Sequence, residues 1–110
     1  MEITFKSKKL EKQLTDPKEL TKAFGQLARK VTQRLKDLAA ADNLSIMRSI
    51  PATKCHELTG NRKGELAINV SGNYRMIFVP NHNPIPRKDD GGLCWEEVTK
   101  IQINEIQDYH

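Results

Sequence analysis

Long apolar runs are missing from this chain. None approaches the roughly 18 residues that a membrane span requires, and residues 1–6, Met-Glu-Ile-Thr-Phe-Lys, lack the apolar centre of a secretion signal. Both absences point to the cytoplasm. Cysteine is scarce as well: Cys55 and Cys94 are the only two. Their spacing fits no zinc pattern and one pair makes no disulfide scaffold, so both read as reduced thiols. Internal repeats and low-complexity tracts are absent, and 110 residues leave room for a single domain, 1–110, with one modest core.

Positive charge is present in excess and unevenly spread. The net charge is +4, but residues 1–64 carry 14 Lys/Arg against 7 Asp/Glu, whereas residues 65–110 carry 4 against 7. A basic half suits a polyanion, because each cation that neutralises a phosphate releases a condensed counterion. It is also what a solvated helix face looks like.

The apolar pattern predicts an α+β fold. Glu2 to Phe5 reads as a short strand, and Ser7 as the cap of a short helix through Leu14. Asp16-Pro17-Lys18-Glu19 reads as a capping box with proline at the first helical position. The helix it opens is expected to run to about Ala41, since Leu20, Phe24, Leu27, Val31, Leu35 and Leu38 recur at steps of three and four. Its other face carries Lys22, Arg29, Lys30 and Lys36. Residues 42–64 read as irregular, 65–70 and 74–79 as a hairpin about Ser71-Gly72-Asn73, and 80–94 as a Pro- and Gly-rich loop in which His82 is a surface residue. Trp95 to Ile106, rich in β-branched residues, reads as a final strand, with a helix as the alternative. The expected architecture is two N-terminal helices packed on a small, mainly antiparallel β-sheet.

Three segments hold groups able to do chemistry. Residues 55–66 (CHELTGNRKGEL) bring His56, Arg62 and Lys63 into a loop before the hairpin. Arg75 lies among apolar strand residues, and the chain ends on Asp108-Tyr109-His110. Each has a plain explanation: a surface histidine, a stabilising ion pair, a frayed terminus. Together they match the needs of RNA cleavage without a metal. A base takes the 2′-hydroxyl proton, cations stabilise the phosphorane, and an acid protonates the leaving 5′-oxygen. Histidine suits either proton transfer, arginine the phosphate, tyrosine a base stack, and a carboxylate the orientation of a histidine. Asp89-Asp90 and Glu96-Glu97 are adjacent pairs whose side chains diverge on a strand, so no metal site and no cofactor are expected. Cys55 and His56, as direct neighbours, make a poor nucleophile–base pair.

The pattern His-x-Leu-x-Gly-x-Arg-x-Gly, then a strand, then Tyr-Arg-x-x-Phe, then a terminal Asp-Tyr-His resembles the HigB-like, plasmid-maintenance killer branch of the RelE/ParE toxins. The resemblance covers roughly residues 17–110 and is strongest over 56–79 and 103–110. It implies a bacterial type II toxin, a ribosome-dependent endoribonuclease that cleaves messenger RNA in the ribosomal A site by metal-independent 2′-hydroxyl attack. It implies His56, Arg75, Asp108, Tyr109 and His110 as catalytic residues, with Arg62 and Lys63 on the RNA. Lys22, Arg29 and Lys30 of the helical layer are candidates for contact with ribosomal RNA. The implied partners are the ribosome with its mRNA and a cognate helix-turn-helix antitoxin (HigA-like), through which alone operator DNA would be reached. Which of His56 and His110 is base and which is acid stays open. The 80–94 loop, with Arg87 and Lys88, departs from the family's short turn. It could lie beside the active cleft, alter codon preference or touch the antitoxin. Two other readings are a ParE-like poison of DNA gyrase and a catalytically inactive RNA- or operator-binding module.

Overall fold

Asp16 sets the geometry of the helical layer. In the computed structural model, which describes residues 1–108, Ser7 caps α1 (Lys8–Thr15) by accepting the Leu10 N–H at 3.1 Å. The Asp16 N–H then closes α1 on the Lys12 carbonyl, while its carboxylate accepts the Lys18 and Glu19 N–H groups and opens α2 (Pro17–Phe24). The capping box is therefore only half made: the Asp16 N–H that Glu19 would accept already belongs to α1.

The long helix expected from Pro17 to Ala41 is broken. Gly25 adopts φ +53° and ψ −121°, a backbone that a residue with a β-carbon rarely tolerates. A tight turn over Gly25–Leu27 follows, and α3 runs over Ala28–Ala40. The apolar periodicity hides this break, because Phe24 before the turn and Ala28 and Val31 after it still pack on one core. Val31 and Leu38 are fully buried.

Five strands form one sheet in the order β1-β5-β4-β3-β2: β1 (Glu2–Phe5), β2 (His56–Glu57), β3 (Leu66–Ser71), β4 (Tyr74–Pro80) and β5 (Lys100–Asp108). Only the β1–β5 pair is parallel. The hairpin and the opening strand lie where the apolar alternation puts them. The two-residue β2, inside the stretch read as irregular, is too short to leave a periodic signal. One face of the sheet carries Leu66, Ile68, Val70, Met76, Phe78, Ile101 and Ile103 against Leu14, Leu20, Val31, Leu38, Leu44 and Met47. Arg34 of α3 ties the layers at their edge, donating to the Asn69 carbonyl at 2.7 Å and pairing with Asp37 at 3.1 Å.

A β-bulge in β5 decides which side chains face outward. Phe78 pairs with Ile103, but the next residue, Ile77, pairs with Glu105, so Asn104 is the extra residue. A regular ladder would place Ile103 and Ile106 on opposite faces. With one residue absorbed, both serve the core, and Glu105 and Gln107 turn outward. His82, expected as a surface residue, is half-buried: its Nε2 accepts the Thr99 and Lys100 N–H groups at 3.1 and 3.3 Å, anchoring the 80–94 loop to the start of β5. Among the described residues no helix is long and apolar enough to cross a membrane.

A β-carbon at Gly25 would meet no atom within 4 Å, so its replacement should cost only backbone strain. Gly25→Ala is expected to lower unfolding stability by about 1–3 kcal/mol, read from urea denaturation. An unchanged midpoint would show that the α2–α3 break does not need a left-handed residue.

Candidate active site

The outward face of the sheet brings two of the candidates, His56 and Arg75, into neighbouring rows. His56, Ala67, Ile77 and Glu105 lie side by side across β2, β3, β4 and β5, and Asn69, Arg75 and Gln107 form the next row on the same face. His56 is exposed on the edge strand, and its Nδ1 lies 2.7 Å from the Lys54 carbonyl oxygen. A carbonyl can only accept, so Nδ1 carries a proton, and in the neutral ring the lone pair is on Nε2. Arg75 is half-buried and donates from Nε to Gln107 Oε1 at 2.8 Å. Arg62 spans from Glu65 (3.2 Å) to Glu105 (3.4 Å), across the strip held by Ala67 and Ile77, both fully buried.

Those contacts sort the expected residues. His56 and Arg75 share a face, two strands apart sideways and two residues apart along the sheet, or roughly 10 Å by 7 Å in backbone terms. Asp108 pairs in register with Tyr74, one position from the Arg75–Gln107 pair. By strand alternation its Cβ leaves on the helix side of the sheet, with Tyr74, and not on the face of Arg75. Arg62, expected on the RNA, has its guanidinium shared by two carboxylates, while Lys63 is exposed. Lys22 on α2 and Arg29 and Lys30 on α3 are exposed in the helical layer, away from the sheet's outward face. Tyr109 and His110 lie outside the described residues. Among the described residues no three His, Cys, Asp or Glu side chains gather as a metal site.

Sequence reasoning missed Gln107 and Glu105. A signal existed: Ile103 and Ile106, three apart in a strand that must bury both, require a bulge, and the bulge turns Glu105 and Gln107 toward the arginines. It also missed the cluster at the β2 edge. The Arg48 guanidinium stacks over the Trp95 ring at 3.6 Å, and the Trp95 indole N–H donates to Glu57 Oε2 at 3.4 Å. The 80–94 loop folds back through an Arg87–Leu93 bridge and brings Arg87 to a cleft shared with the Thr59–Gly64 turn. The loop therefore lies beside the candidate site's edge strand. An apolar groove of about 430 Å³ sits elsewhere, lined in part by Ile3, Phe5, Leu14, Leu20 and Leu35, and contains no candidate site residue.

A family model described as a RelE-like toxin of the type II toxin–antitoxin system HigB matches residues 3–86. That span contains His56, Arg62, Lys63 and Arg75 and stops short of β5 and the terminal triplet. Among solved structures, the chain is similar to the YoeB/ParE toxin from Agrobacterium tumefaciens, with 8% identity, a TM-score of 0.55 and coverage of 100% of both chains. At that identity the likeness is one of fold. No curated protein matches the chain.

Cys55, next to His56, packs against the core, and burial pushes its thiol up to about 12 against the opposing charge of Arg48. It is inert as a nucleophile at neutral pH. The unfolded chain releases this proton near the ordinary thiol value of about 8.5, whereas the folded chain holds it to about 12. The stability that Cys55 contributes is thus complete below about pH 8 and declines as pH rises toward 12, by at most about 1.4 kcal/mol per pH unit. Comparing wild type with Cys55→Ala in urea at pH 7 and pH 10 should show the wild type losing more of its stability. Equal losses would mean that the folded thiol titrates normally.

Proposed function

The chain belongs to the HigB-like family of RelE-like toxins of type II toxin–antitoxin systems, and from that membership we propose that it is a ribosome-dependent endoribonuclease cutting messenger RNA in the A site. The family implies an antitoxin partner, which on this reading is a helix-turn-helix protein of the HigA type, and the place of action is the bacterial cytoplasm. The observation that carries the proposal is the pinned tautomer of His56 on the sheet face that also presents Arg75.

The proposed reaction needs no metal. His56 Nε2 takes the proton of the 2′-hydroxyl, and the 2′-oxygen attacks the neighbouring phosphorus. The bond to the 5′-oxygen breaks as an acid returns a proton to that oxygen, leaving a 2′,3′-cyclic phosphate and a 5′-hydroxyl. Arg75, aimed by Gln107, stabilises the charge that builds on the phosphorane. Asp108 ends the strand that carries Gln107, and Tyr109 and His110 are the next residues in sequence; His110 is assigned the acid, Tyr109 the stacking on a base, and Asp108 the orientation of His110, since it leaves the sheet on the face opposite His56. Lys22, Arg29 and Lys30 are assigned to ribosomal RNA.

Induction of the chain should arrest growth and leave ribosome-dependent cuts in mapped mRNA ends. His56→Ala and His110→Ala should each slow cleavage by roughly 100- to 10,000-fold, and Arg75→Ala by about 100- to 1,000-fold, with folding and antitoxin binding retained. A DNA-damage response with double-strand breaks and intact mRNA would overturn the reading in favour of a gyrase poison. Charge reversal at Lys22, Arg29 and Lys30 should weaken ribosome binding and flatten its salt dependence. Unchanged binding would return that face to plain solvation.

A further inference from the structure

At the β2 edge, just past His56, a cleft of about 470 Å³ opens between two segments far apart in sequence. Glu57, Thr59 and Lys63 line one side, Gly60 and Gly64 offer bare backbone, and Arg87 of the 80–94 loop closes the other. The volume falls in the range of about 300–1,000 Å³ typical of clefts that hold a small ligand. Its charges are selective. Arg62 is occupied by Glu65 and Glu105, and Lys88 lies 4.0 Å from Asp90. Lys63 and Arg87, in contrast, form no salt bridge among the described residues. Arg87 has only a long contact, 3.5 Å, to the Gly91 carbonyl. Two cations without carboxylate partners thus meet across one cleft. Glu57 has one oxygen taken by the Trp95 indole, while Oε1 has no hydrogen-bond partner among the described residues.

We propose that this cleft is a nucleotide subsite of the toxin, in which Lys63 and Arg87 hold a backbone phosphate of the mRNA beside the scissile step and Glu57 reads the base. The proposal rests on the endoribonuclease reading and deepens it. The two cations supply the phosphate contacts. A carboxylate is an acceptor only, so it favours a base with an exocyclic amino group over one that offers a carbonyl at that edge. Cytosine and uracil share a ring outline and differ at C4, amino against carbonyl, and at the adjoining N3, acceptor against N–H, so it is the C4 position that Glu57 must read. The 80–94 loop is on this view a specificity element: it delivers the second cation, and its anchor on His82 holds it in place.

The test uses the full chain on ribosomes programmed with mRNA whose A-site codon carries 2′-O-methyl groups, which cannot be cut. Affinity is measured over a range of salt. Arg87→Ala should weaken binding and reduce the slope of log affinity against log salt by about 0.7, the value for one phosphate contact on a single strand. Lys63→Ala should do the same, and Arg87→Lys should restore the slope. Wild type should bind cytidine-bearing codons about five- to tenfold more tightly than uridine-bearing ones at one position, and Glu57→Gln should erase that ratio. An unchanged slope in Arg87→Ala overturns the subsite, while cleavage of unblocked mRNA by wild type keeps the endoribonuclease reading intact. Failure of wild type to cut unblocked mRNA overturns both. If Arg87→Ala loses affinity for the antitoxin and not for the programmed ribosome, the cleft belongs to the antitoxin and the proposal falls.

Discussion

A single surplus residue in β5 governs what the outward face of the sheet can do. Asn104 breaks the alternation, so the strand first buries Ile101 and Ile103 and then, in shifted phase, Ile106. The same shift sets Glu105 and Gln107 on the outside, where they meet Arg62 and Arg75. Without this shift the strand would have to choose between a continuous core and a polar outer face. The arginine that sequence places among apolar residues is tolerable because a glutamine stands opposite it in register, accepting its Nε–H. Stability and chemistry are thus coupled through backbone phase, which no inspection of individual residue types would show.

The helical layer obeys a different constraint, the accounting of backbone donors and acceptors. Asp16 ends one helix with its N–H and begins the next with its carboxylate. Gly25 ends the second by leaving the right-handed region altogether. The result is three helices, α1, α2 and α3, the last two where a single long helix was expected after Asp16. Lys22 lies before this break and Arg29 and Lys30 after it, so the break sets their relative placement.

Much of the fold was legible in the residues. Ser7, Asp16 and Pro17 cap as their chemistry requires, the hairpin turns at Gly72, and the opening strand falls on Ile3 and Phe5. The failures share a cause: they occur where one atom serves two structures or where phase slips. Gly25 is invisible to a period-3.6 reading because the stripe continues beyond it. β2 has two residues and no periodicity to detect. His82 is an anchor because two consecutive N–H groups at the start of β5 need an acceptor, and nothing local in its Asn-His-Asn-Pro setting announces that. Of the candidate site, His56 and Arg75 were singled out as residue types able to do chemistry and took their proposed roles from the family resemblance. Gln107, Glu57 and Trp95 were not, since their relevance comes from strand register and from a fold-back of the 80–94 loop.

The parallel pairing of β1 with β5 joins the earliest and the latest strands. β5 is also the strand on which β4 completes its ladder, so an interior strand, flanked by β1 and β4, comes after the other four in chain order. Closing a contact over so long a stretch of chain carries a loop entropy that local hairpins avoid, and folds dominated by such contacts form slowly. A nascent chain that has made its helices and the β3–β4 hairpin still lacks β5 and with it Gln107. The Arg75–Gln107 hydrogen bond therefore forms only once β5 has joined β4.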